Sequence, residues 1–320
     1  MGRAPRHWDS NHYYFVTNRV HNGRFLFRPD TKFNRLALGC LAYYAKRYGI
    51  KIICFVFMSN HFHLVLQDPR CQMSNFMRDF QRTLSHRVKE LRQCTEVVFS
   101  RRFRASPLLD EAALREKIAY TLTNPIKDRL VTHLEDWPGI NSWLHHTSGK
   151  PMVGKFYKKS NLRQIKRQNP DISDEKACQK ATDSHPITFE VPSCFSGDTS
   201  EERRESLVQF VEEYRSSLRK SFSSKTVIGR KKILRRSWNH VPKTLESTSC
   251  PPCHCSCPKL RLQYLNRRRS ITDQYRKSIS KLRDGQCGVE FPVGTIPPGW
   301  NRCYTREDAG VDPPTSASSG

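Results

Sequence analysis

The chain has 320 residues and carries 55 Lys and Arg against 30 Asp and Glu, a formal charge of +25 with an isoelectric point near 9.8. That length suffices to bury a sizeable core, and no apolar run approaches the ~18 residues a membrane span requires. The basic excess runs through both halves, 27 basic against 12 acidic side chains in residues 1–160 and 28 against 18 afterwards, so it marks a polyanion-binding protein and not a basic tail.

Met1 to Ser10 is polar and basic and lacks the apolar stretch of a signal peptide, so a cytoplasmic, nucleoid-associated protein is expected, and its twelve cysteines are expected to be reduced thiols. His12 to Val20 is aromatic and β-branched, with turn formers Asn22 and Gly23 behind it, and predicts a first strand. From Thr31 to Tyr48, Phe33, Leu36, Ala37, Cys40, Leu41, Tyr44 and Tyr48 recur at helical steps, with Asp30 as the cap and Gly49 as the stop. Ile52 to Phe57 is apolar throughout, as in a strand covered on both faces, and Met58, Ser59 and Asn60 turn the chain into a returning strand, His61 to Leu66.

Met73, Phe76, Met77, Phe80, Leu84, Val88 and Leu91 define a second amphipathic helix whose other faces carry Arg78, Arg82, Lys89 and Arg92. A short strand, Phe103 to Leu109, precedes Asp110, the cap of a third helix with the stripe Leu114, Ile118 and Leu122, which Pro125 is expected to stop. This order predicts an α+β fold, a ferredoxin-like antiparallel sheet with helices packed on it, over residues 8–147. Residues 148–200 read as a proline-punctuated linker and 201–304 as a basic, mainly helical accessory region. Its helices are expected at Leu207 to Phe222, followed by the basic run Arg230, Lys231, Lys232, Arg235 and Arg236, and over 259–283; residues 305–320 read as a disordered tail.

On a strand successive side chains alternate, so His61 and His63 share a face while Phe62 points the other way, and two imidazoles at that spacing can grip one metal ion. Paired strand histidines are more often plain polar-face residues, so the pair acquires meaning only from its surroundings. Tyr120 lies about 200° around the helix from Ile118, off the apolar stripe, on the line of Glu116 and Asn124. The cluster Cys250, Cys253, His254, Cys255 and Cys257 begins with a C-x-x-C spacing, but no well-spaced second pair follows, and zinc stays open there.

The stretch FVFMSNHFHLVLQDP, followed by IAYTLTNPIKDRLV, resembles the REP-associated tyrosine transposases and their single-tyrosine insertion-sequence relatives. The resemblance continues through Trp137, Pro138, Gly139 and Trp143, and faintly at Phe291, Pro292, Gly294 and Thr295. Ser59 stands where that family commonly has proline, and Asp128 and Arg129 stand where a small residue and glycine are usual. The resemblance implies an endonuclease and strand transferase acting on single-stranded or hairpin DNA. In it His61 and His63 form the HUH metal pair, Asn124 is the amide-type third ligand, and Tyr120 is the nucleophile that forms a 5′-phosphotyrosine.

A site of nitrogen and oxygen ligands without thiolate suits Mg²⁺ or Mn²⁺. Arg78, Arg82, Arg101, Arg102 and Arg104 are candidate phosphate contacts, and Tyr13, Tyr14, Phe103 and Trp143 are candidates for base stacking, with core packing as the competing role for each aromatic. Whether the tyrosine helix serves its own histidines or those of a second copy in a homodimer stays open. Two other readings compete: a non-catalytic nucleic-acid binder built like an RNA-recognition sheet, which leaves the His pair, Tyr120 and Asn124 unexplained, and a domesticated nuclease acting on host repeats.

Overall fold

Alternating apolar residues between two capped helices position everything that follows. In the computed structural model, which describes residues 5–220, 226–242 and 251–298, the chain runs β1 (Tyr13–Arg19), α1 (Thr31–Tyr48), β2 (Lys51–Phe57), β3 (His61–Gln67), α2 (Met73–Arg92) and β4 (Arg104–Leu108). The four strands form one antiparallel sheet in the order β2-β3-β1-β4, which is the ferredoxin-like topology expected from the sequence. Asp30 caps α1 by accepting from the Phe33 N–H, and Gly49 ends it with φ of 65°, a left-handed turn that a side chain would strain.

Both faces of this sheet are covered, which is why β2 is apolar at every position after Lys51 and Phe62, Leu64, Val65 and Leu66 of β3 are buried. Tyr14, Val16, Ile52, Phe62, Leu64 and Leu66 pack beneath α1 and α2. Phe15, Ile53, Val56, Val65 and Leu108 face the other way, into a second core shared with α3 (Glu111–Lys127), α4 (Trp143–Ser148) and later helices. Each large side chain fully buried in these cores contributes roughly 1.5–3 kcal/mol.

The structure corrects two expectations. Pro125 does not stop α3, which runs on to Lys127; Pro125 and Ile126 are buried, and Asn124 and Pro125 carbonyls accept from Asp128 and Leu130, so tertiary packing carries the helix through the missing N–H. Residues 148–200 are not an unstructured linker. They hold β5 (Val153–Tyr157), α5 (Lys159–Gln168), α6 (Asp174–Lys180) and β6 (Thr182–Pro186), with β5 and β6 paired antiparallel. That hairpin rests on α1, where Phe156 stacks on Tyr43 at 4.2 Å between ring centroids and Gly39 leaves room for the Lys155 carbonyl. Its polar composition hid this because only one strand face is apolar.

Beyond it lie α7 (Ser200–Lys220), α8 (Arg230–Arg235) and α9 (Pro258–Arg283), the helical and basic C-terminal region that the sequence predicts. α7 packs on α3 and sends Leu207 and Val211 into the second core. The tail 305–320, Phe222 and Cys250 lie outside the described residues. Among the described residues, no helix is long and apolar enough to cross a membrane, and the cysteines are free thiols.

Candidate active site

The register of the sheet assembles one face of polar side chains. Thr17 lies opposite both His63 and Arg104, and Arg19 lies opposite His61, so these five residues share the face that α3 covers. Arg19 is a member that sequence reasoning missed, since only strand pairing puts it beside His61; its charge helps depress the His61 pKa.

The two imidazoles stand 4.8 Å apart between centroids, nearly perpendicular. His61 Nδ1 lies 2.7 Å from the Asn60 Oδ1, an acceptor, so Nδ1 carries the proton and the Nε2 lone pair is left for a ligand. Burial, with Arg19 adding to it, lowers the His61 pKa to about 4, and the neighbouring Asn124 side chain works against that fall. His63 is pushed well below the ordinary imidazole value by burial, then by His61, Lys127 and Lys117. Both rings are therefore neutral near pH 7, which is the form that binds metal.

Tyr120 comes to this pair from α3. Its ring is half-buried and meets the edge of His63 at 5.5 Å and of Phe15 at 5.9 Å. Asn124, one turn further along, is buried with its side chain beside His61, and neither its Oδ1 nor His63 Nδ1 has a partner at full hydrogen-bond geometry. A ring nitrogen and a carboxamide oxygen without hydrogen-bond partners beside His61 fit a divalent cation bound by His61, His63 and Asn124. No cluster of three His, Cys, Asp or Glu is present among the described residues; the third donor in this arrangement is an amide. The ammonium of Lys127 lies 4.1 Å from the centre of the Tyr120 ring, and that of Lys117, which pairs with Glu116 at 2.9 Å, lies 5.2 Å away.

A distant segment completes the surroundings. His254 pairs its backbone with β4: its N–H donates to the Pro107 carbonyl at 2.9 Å and its carbonyl accepts from Leu109 at 3.0 Å. Its ring then meets Phe15 edge-on at 5.7 Å, so His63, Tyr120 and His254 all gather around that one phenyl ring. Burial, and Lys117 after it, lowers the His254 pKa to about 4. Asp110 fixes this segment. One carboxylate oxygen accepts from Ala113 N and caps the tyrosine helix at 2.7 Å, while the other accepts from Cys255 Sγ, Ser256 N, Ser256 Oγ and Cys257 N at 2.6–3.2 Å. Although burial alone would raise it, these donors hold the Asp110 carboxyl below the ordinary carboxylate range. The Cys255 thiol is thus engaged by Asp110 and by the Cys257 carbonyl.

The candidate phosphate contacts divide. Arg104 lies on the same polar face as His61 and His63, and Arg101 and Arg102 are exposed in the loop leading to it. Arg78 and Arg82 sit on α2, whose apolar side packs on the opposite face of the sheet, and Arg78 is bonded to Asp79 and Asn75. Among the stacking candidates, Tyr14, Phe103 and Trp143 are buried in the cores, leaving Tyr13 half-exposed. Trp143 donates its indole N–H to Glu135.

Residues 10–115 match the family described as IS200-like transposases. The match spans the four-stranded sheet with His61 and His63 and bears out the likeness that the first motif carries; it ends five residues before Tyr120, so the second motif, residues 118–131, lies beyond it. Among solved structures, the chain is similar to a REP-associated tyrosine transposase bound to a REP hairpin, with 16% identity and a TM-score of 0.40, over 46% of this chain and 86% of that one. It is also similar to the tRNA(His) guanylyltransferase of Saccharomyces cerevisiae, with 11% identity and a TM-score of 0.30, over 65% and 81%. No curated protein matches the chain.

Proposed function

We propose that this chain, whose residues 10–115 match the IS200-like transposase family, is a transposase that cuts and rejoins single-stranded or hairpin DNA through Tyr120. Residues 8–147 are its catalytic unit, and the basic helices beyond residue 200 are its accessory region. The observation that carries the reading is the convergence of Tyr120 on His63, at 5.5 Å, with the Asn124 side chain buried one turn away beside His61.

The chemistry asks for an oxygen nucleophile in line with a leaving oxygen and for compensation of charge on the phosphoryl oxygens. A Mg²⁺ or Mn²⁺ ion held by His61, His63 and Asn124 supplies Lewis-acid polarisation of the scissile phosphate when bound. Tyr120 attacks through Oη, the phosphodiester opens to a 5′-phosphotyrosine and a free 3′-hydroxyl, and the retained ester bond energy lets a 3′-hydroxyl reverse the step without ATP. Lys117 and Lys127 draw the phosphate to the tyrosine, and Arg104 and Arg19, at either end of the polar face, extend the path for the strand. Phe15 keeps His63 and Tyr120 in register by contacting both rings.

The test is incubation with hairpin DNA from the flanks of the gene, labelled at either end, with Mn²⁺ or EDTA, beside Tyr120→Phe. A metal-dependent adduct carrying the label 3′ of the cut, absent in the variant, is expected. Binding with no adduct on any flanking hairpin would favour a non-catalytic nucleic-acid binder.

A further inference from the structure

The face of α9 turned away from the body is a strongly charged feature, among the described residues, that the candidate site leaves unused. The helix has nine Lys and Arg and one carboxylate, Asp273, and none of its residues is buried. Its inner side is nonetheless occupied. Tyr264 and Ile271 line a small cleft with Tyr14 and Pro107, Tyr275 packs on Phe291 and donates to the Ile296 carbonyl, and Ser278 donates to Glu290. At 3.6 residues per turn, Lys259 and Lys277 fall on one line of the opposite side, with Lys281 about 40° to one side of it and Arg269 and Arg276 about 80–100° to the other.

These five side chains belong to exposed residues. Of them only Arg276 has a carboxylate partner among the described residues, Asp273. Such a row is costly in self-repulsion and is stabilised by a polyanion. At ~1.5 Å per residue, Lys259 and Lys281 stand about 33 Å apart, close to the ~34 Å repeat of a DNA duplex. A straight rod lying along a duplex meets the same backbone again after one turn, so cations at both of its ends are satisfied together. The rod does not float: the Asp110 clasp and the His254 pairing with β4 tie its first turn to the cap of the tyrosine helix.

We propose that the outward face of α9 grips the phosphate backbone of duplex DNA and holds the paired stem beside the strand offered to Tyr120. The inference rests on the reading of the chain as a DNA-processing protein. It is tested with the full chain and with Lys259, Lys277 and Lys281 all changed to Ser, by fluorescence anisotropy against a mixed-sequence 20-base-pair DNA duplex, the same length of single-stranded DNA, and an RNA duplex, over a range of salt. The slope of log affinity against log salt for the DNA duplex should fall by about 2.7, at ~0.9 for each lost phosphate contact. Affinity for the duplex should drop at least tenfold at 0.1 M salt, while affinity for the single strand stays within twofold.

Absence of duplex binding by the wild type at low salt would overturn the proposal, as would an equal loss for both DNA forms, no loss at all, or tighter binding of the RNA duplex. Adduct formation by the wild type, assayed in parallel on single-stranded DNA, reports separately on cleavage. A chain that forms no adduct but shows the duplex-specific loss keeps the α9 surface and loses the transposase reading.

Discussion

Asp110→Ser separates two jobs held by one carboxylate. Serine is as good a helix N-cap as aspartate, so the cap on α3, worth about 1 kcal/mol, is retained. Its single short hydroxyl cannot also reach the four donors at Cys255, Ser256 and Cys257. Hydrogen bonds to a charged acceptor are worth ~1.5–3 kcal/mol when buried. Because this site is mostly exposed, the clasp as a whole is discounted to roughly 2 kcal/mol, local to the segment. The urea midpoint of the main transition should therefore move little, whereas amide exchange at His254, Ser256 and Cys257 should accelerate by about 30-fold. Hydrogen exchange read by NMR or by peptide mass checks this, with Asp110→Ala as the variant that loses cap and clasp together. Unchanged protection at residues 254–257 in Asp110→Ser would show that the segment is held by something other than Asp110 and would refute the clasp.

His146 is fully buried, and its pKa is lowered to about 3, chiefly by burial. A neutral native imidazole that protonates on unfolding makes stability fall as pH drops from ~6.5 towards that value, about 2 kcal/mol by pH 5; urea melts at pH 7 and 5 should show a correspondingly smaller loss in His146→Leu, and an identical loss would contradict the burial argument. Gly39→Ala drives a methyl into the Lys155 carbonyl and should cost roughly 1–3 kcal/mol by lifting the β5–β6 hairpin from α1, an outcome that thermal melts and proteolysis within 150–186 would report. His63→Ala should reduce cleavage by at least ~10²-fold, as EDTA does, with Mn²⁺ restoring only the wild type; cleavage by His63→Ala at the wild-type rate would remove His63 from the site.

What was legible in the sequence was whatever is written locally. Asp30 and Gly49 bound α1, the unbroken apolar run gives β2, and the two-residue spacing of His61 and His63 is enough by itself to put them on one face of a strand. The convergence of Tyr120 on that face was legible only as an off-stripe residue on a helix. The misses are long-range. Pro125 is tolerated because the buried Ile126 and Asn124 hold the helix together, which no local rule contains. The 148–200 segment looks like a linker because its polar residues face solvent and its few apolar ones depend on α1. Arg78 and Arg82 seemed suitable by charge, yet α2 lies on the far side of the sheet. His254 lies 145 residues beyond Leu109, the residue whose N–H it receives, and nothing near it in sequence announces that it will stand beside Phe15.

The central claim is that Tyr120 itself becomes bonded to DNA. The most direct measurement is peptide mass spectrometry of the protein after reaction with single-stranded flanking DNA in Mn²⁺ and complete nuclease digestion. The account predicts a nucleotide mass on the peptide containing Tyr120 and on no other, absent with EDTA. A nucleotide on another tyrosine, such as the neighbouring Tyr214, or cleaved DNA with no modified peptide, would contradict it.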